Sequence, residues 1–147
     1  MHSLWQAADR NALRERLQRL QPTTKGRWGK FTAPEMVAHL SQSMRMATGD
    51  LPTERKNGPL RFWPLKMLVI YVMPWPKGTP TARELLEGTP TNWDADLARL
   101  SSMIEDFARL DRNRAWPTHP AFGQLSAANW GALGYKHVDH HLKQFGV

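Results

Sequence analysis

Apolar residues recur at three- and four-residue intervals in four stretches of this chain, the spacing of a helix that buries one face. The first stretch, residues 3–20, carries Leu4, Ala8, Ala12, Leu17 and Leu20 and stops at Gln21 and Pro22. A turn, TTKGRWGKF, follows. The second stretch, residues 32–48, has a well-marked start: Thr32 and Glu35 form the T-x-x-E pattern of a capping box, and Pro34 sits in the tolerated first turn. Gly49 ends it. The third, residues 92–111, aligns Trp93, Leu97, Leu100, Ile104 and Phe107 in the cleanest stripe of the chain. The fourth runs from a Ser126 cap to Phe145 and ends at Gly146.

Between the second and third stretches the pattern breaks. Pro52, Pro59, Pro64, Pro74, Pro76, Pro80 and Pro90 leave room only for a short helix over residues 60–72. No strand alternation competes, so β-structure beyond a turn or two is not expected. Short links after helices one and three, with a long excursion between two and three, predict an all-α four-helix bundle with one long crossover containing that short helix. The 147 residues suit a single domain, 1–147, large enough to bury its own core.

On such a bundle the histidines become informative. The last helix contains HVDHH, and His137 and His141 lie one turn apart on one face, a spacing at which two imidazoles hold one metal ion. With His137 at the origin, His141 falls near 40° and Val138 near 100°, so both face the apolar stripe, while His140 turns to roughly −60°, toward the rim. On helix two, with His39 at the origin, Ser43 lies near 40° and Leu40 near 100°, so His39 also sits at the core edge. His39 and the midpoint of the His137–His141 pair are each roughly 10 Å from their helix ends, which are neighbours if helices two and four run antiparallel. The imidazoles then meet at one height. Three inward imidazoles are hard to satisfy by hydrogen bonds in a bundle core, which favours a divalent metal over a structural cluster. Three neutral ligands leave a coordination position open, as in catalytic sites. The donor set suits zinc, nickel, iron or copper alike.

Composition narrows the chemistry. There is no cysteine, which excludes disulfides, thiolate metal sites and a cysteine nucleophile. Twenty Lys and Arg against thirteen Asp and Glu give +7, but the basic residues are scattered rather than packed into a run, so no nucleic-acid footprint is expected. The amino terminus lacks an apolar signal core, and the longest apolar run, residues 67–73, is far short of a membrane span. A cytoplasmic protein is the expectation.

The segments RWGKFTAPEMVAHLSQSMR, PWPKGTPT and HPAFGQLSAANWGALGYKHVDHHLKQFG resemble a domain-of-unknown-function branch of the DinB-like (YfiT-like) superfamily. The resemblance spans nearly the whole chain. It implies an up-down-down-up bundle whose divalent metal is held by one histidine of helix two and an HxxxH of the last helix, here His39, His137 and His141. Characterised superfamily members include S-transferases and isomerases that use a low-molecular-weight thiol, and others are described as hydrolases. Sharing a fold does not by itself confer an activity.

Further residues carry paired readings. Glu35 is a candidate general base, but its place in the capping box already accounts for it. Gln144 and Ser43 are candidates to support a ligand or contact a substrate, against solvation and core filling respectively. His140 reads as a rim group beside the metal. His119, in the loop RNRAWPTHPAFGQ, is a candidate substrate contact against a loop-anchoring hydrogen bond. Asp139 points away from the histidines and reads as a surface charge. Trp63 and Trp75 flank the apolar run of the crossover and stand to line a pocket or a homodimer face. Two functions follow: a metal-dependent transferase or hydrolase acting on a small molecule, or a non-catalytic, metal-stabilised binding module.

Overall fold

A computed structural model describes residues 1–75 and 81–147. The chain breakers Pro76 and Pro80, and most of PWPKGTPT, lie outside the described residues. The protein is mostly helical: α1 (Ala7–Leu17), α2 (Ala33–Thr48), α3 (Trp63–Tyr71), α4 (Trp93–Phe107) and α5 (Ala127–Gln144). Two two-residue strands, β1 (Thr118–His119) and β2 (Gly123–Gln124), pair antiparallel in the loop before α5.

The ends of these helices have local causes. Thr32 and Glu35 close the expected capping box, and Gly49 takes the left-handed conformation (φ 93°) that ends α2. Asn92 caps α4 and Ser126 caps α5 through side-chain oxygens. Pro64, in the first turn of α3, separates that helix from a 3-10 turn at Pro59–Arg61, so the expected single helix over 60–72 is two pieces.

Helix α1 begins four residues later than the hydrophobic pattern predicts. Its first residues dock on α5 instead: the Leu4 N–H donates to the Gly131 carbonyl (3.0 Å) and Trp5 Nε1 donates to the Ala127 carbonyl (2.7 Å). The Asp9 carboxylate accepts the Ser3 N–H (2.7 Å), holding the bend. A Cβ on Gly131 would sit 2.3 Å from Trp5, so glycine is what lets this segment approach.

Helices α1 and α2 each pack against both α4 and α5, which places one core between four helices. Leu13, Leu17, Met36, Leu40, Leu100, Ile104, Phe107 and Leu142 are fully buried there. Leu97, expected in the core, is only half-buried. Ion pairs fasten the outside: Glu105 receives Arg10 and Arg14, joining α1 to α4. Asp139, read from the sequence as a surface charge, is mostly covered and receives Arg16 of α1 at 2.7 Å as well as Lys143.

Two contacts position the site. The turn before α2 lies against the end of α5, where the Arg27 N–H donates to the Gln144 carbonyl (2.7 Å). Lys136 of α5 reaches the Val69 and Ile70 carbonyls at the end of α3, tying the crossover helix to α5. Among the described residues, no helix is long and apolar enough to cross a membrane.

Candidate metal centre

Helices α2 and α5 bring the three predicted histidines together. His39 Nε2 and His141 Nε2 each lie 3.2 Å from His137 Nε2. The three ligand atoms fall within 4.8 Å of one another. Nitrogens about 2.05 Å from a tetrahedral zinc stand roughly 3.3 Å apart, so the two 3.2 Å separations match edges of such a coordination shell.

The tautomers follow from the neighbours. His39 Nδ1 lies 3.1 Å from the Leu85 carbonyl, which only accepts, so Nδ1 carries the proton and Nε2 is bare. Gln144 Nε2 donates to the Trp28 carbonyl at 2.7 Å, which turns its Oε1 toward His141 Nδ1 at 2.8 Å. His141 Nδ1 must therefore donate, and its Nε2 is bare too. His137 Nε2 has at most one proton and can satisfy only one of these two lone pairs. A cation between the three rings resolves the conflict, and the residues fit a divalent metal with imidazole preference.

Burial keeps the ligands neutral. Desolvation, the largest cause in each case, lowers the pKa of His39, takes His141 down to about 3, and drives His137 well below its ordinary value with help from the surrounding imidazoles. Neutral imidazole is the coordinating form. Aromatic rings wall the cluster: Phe31 stacks on His39 (centroids 5.1 Å apart) and Trp75 on His137 (5.2 Å).

A cavity of about 330 Å³ opens onto the cluster. Its walls are largely apolar, with Met44, Leu60, Val69, Phe122 and Leu133 among them, and among the described residues no carboxylate lines it. His119, His140, Ser43 and Gln144 do line it, as does Trp75, whereas Trp63 points outward and is 71% exposed. His140 lies edge-on to His141 and Trp28. Ser43 donates to the His39 carbonyl (3.0 Å). Gln144, far from solvated, is buried. Glu35 is exposed and absent from the cavity wall; its carboxylate accepts the Thr32 N–H and hydroxyl, both at 2.8 Å.

Residues 3–146 match the family described as Protein of unknown function (DUF1569). The chain belongs to this family. No curated protein and no solved structure matches it.

Three contributors to the DUF1569 site escaped the sequence reading. The Leu85 carbonyl is backbone, and residue type says nothing of where a carbonyl points. Phe31 read only as part of a turn. Gly29 has φ 81°, and a Cβ there would fall 2.2 Å from Gln144 Nε2, so only glycine lets Gln144 reach the Trp28 carbonyl. The WGK turn was its one visible signal.

Proposed function

We propose that this DUF1569 protein is a divalent-metal-dependent enzyme of the S-transferase or hydrolase type, built on the up-down-down-up bundle of the DinB-like superfamily. One observation carries the reading: two Nε2 atoms, stripped of protons by the Leu85 carbonyl and by Gln144, face a third at 3.2 Å. His39, His137 and His141 would hold the ion. When bound, a divalent ion at such a site supplies Lewis-acid activation at an open coordination position.

The chain's own residues prepare that position. Leu85 and Gln144 orient two of the rings, while Phe31 and Trp75 keep water from their faces. Among the described residues lining the cavity no carboxylate offers a general base, and the chain has no cysteine. The nucleophile is therefore supplied from outside the protein, by solvent or by a small thiol. Glu35 is engaged in the capping box, and no step is assigned to it.

The test is elemental analysis of protein purified without a polyhistidine tag. About one equivalent of zinc, nickel or iron is expected, falling sharply in His39→Ala, His137→Ala and His141→Ala and persisting in His140→Ala. Metal-free protein that retains full turnover of a substrate would refute the metalloenzyme reading.

One observation favours a second reading, a non-catalytic module: Phe62, Trp63 and Val72, in and beside α3, are 71%, 71% and 72% exposed. A second copy of the chain covering this face would make a homodimer, which sedimentation of Trp63→Ser against the parent detects.

A further inference from the structure

The sequence offers His119 two roles, a loop anchor or a substrate contact, and its two ring nitrogens divide them. Nδ1 accepts the N–H groups of Ala121 (3.1 Å) and Phe122 (3.2 Å). Nδ1 is therefore unprotonated, and in the neutral ring the proton resides on Nε2. Burial supports the neutral form, holding the pKa at about 3. Phe122 and Trp130 clamp the ring, with centroids 4.8 and 5.4 Å away.

Nε2–H has no hydrogen-bond partner among the described residues, although the side chain is nine-tenths buried. Arg14 Nε is the single side-chain atom among the described residues that is both sealed from solvent and unpartnered, so His119 Nε2 keeps access to open space. The open space His119 lines is the cavity that also holds His39, His137 and His141. A protonated Nε2 cannot ligate a metal. It can only donate.

The rest of the wall sets what can be donated to. A dry apolar cavity of roughly 150 Å³ accommodates benzene, so one of 330 Å³ accommodates about 13 non-hydrogen atoms. Three neutral imidazoles leave the charge of a divalent ion uncompensated, and among the described lining residues no carboxylate offsets it, while Lys30 and Lys56 add positive charge. The missing negative charge has to arrive with the ligand.

We propose that the cavity binds a molecule with an apolar body and a single anionic acceptor head, the head bridging the three-histidine centre and His119 Nε2–H. This rests on the metal reading above. Carboxylate, hydroxamate and thiolate heads share the required chemistry, and the hydroxamates provide a probe pair. Octanohydroxamate has 11 non-hydrogen atoms, within the limit of about 13 set by the volume. It exceeds acetohydroxamate by six methylenes, each contributing about fourfold in affinity when buried.

The experiment is calorimetric titration of zinc-loaded protein with both hydroxamates, after elemental analysis of the same sample. With even half of the added methylenes seated, octanohydroxamate should bind about 50-fold more tightly. His119→Asn keeps an acceptor where Nδ1 stood but loses the Nε2 donor; His119→Gln keeps a donor where Nε2 stood but loses the anchor. Binding of both probes should weaken about five- to tenfold in His119→Asn and be retained in His119→Gln, with the melting temperature falling more in His119→Gln. Equal affinity of the two hydroxamates for zinc-loaded parent protein overturns the apolar body, and parental affinity in His119→Asn overturns the donor. Absence of bound zinc defeats the metal reading itself and registers separately, in the elemental analysis.

Discussion

Gln144→Met tests the tautomer argument at its most exposed point. Methionine keeps the length and roughly the volume of glutamine and suits the last turn of α5, but it removes both polar ends. His141 Nδ1–H loses its acceptor at 2.8 Å, and the Trp28 carbonyl loses its donor at 2.7 Å. The buried His141 Nδ1–H left unpaired costs about 1–3 kcal/mol, and the Trp28 carbonyl, of a half-buried residue, gives up one bond at the lower end of that range. The fold should therefore lose about 2–4 kcal/mol. The metal should suffer as well, because an unanchored His141 ring rotates and its Nε2 loses basicity. Loss of such a partner lowers affinity by about 10- to 100-fold, or about 1.4–2.7 kcal/mol. Competition with a chromophoric chelator measures the affinity, and thermal denaturation followed by circular dichroism measures the fold. Gln144→Glu separates the two effects: the carboxylate still accepts from Nδ1–H but repels the Trp28 carbonyl, so metal affinity should hold while the melting temperature falls. A folded Gln144→Met protein that binds metal within twofold of the parent would refute the assignment of bare Nε2 atoms.

Three other outcomes follow from the structure. The metal-free protein should lose stability on acidification: His119 and His141 protonate near 6.5 when unfolded but only at about 3 when folded, so their contribution is complete above pH 6.5 and is lost as pH falls toward 3. The unfolding free energy from urea titrations should fall between pH 7 and 4, these two rings alone contributing up to about 2.7 kcal/mol per pH unit, and a flat profile would contradict their burial. Leu100→Ala, at a fully buried position of α4, should cost roughly 2–5 kcal/mol by chemical denaturation. Glu35→Gln should cost under about 1 kcal/mol and leave metal content unchanged, since glutamine preserves the capping box and only the charge near the helix start is lost; a large fall in metal content would return Glu35 to the site.

The hydrophobic spacing, caps and breakers by themselves determined four long helices and a short one, because amphipathic period and capping are local properties of neighbouring residues. They located the start of α2 at Thr32 and the end of α5 at Gly146, and the i, i+4 spacing of His137 and His141 already aligned two ligands. The match in height with His39 could be argued from helix lengths, since rise per residue is nearly constant. Other features needed the tertiary structure. Residues 3–6 carry helical spacing yet dock on α5, because the approach to Gly131 and the bond to the Ala127 carbonyl outweigh one more turn of helix. Asp139 looked like a solvated charge until Arg16, distant in sequence, came to rest against it. The protonation states of His39, His141 and His119 were decided by the Leu85 carbonyl, by Gln144 and by the backbone N–H groups of Ala121 and Phe122. Those are directional contacts between distant or backbone groups, and residue type and spacing carry no record of direction.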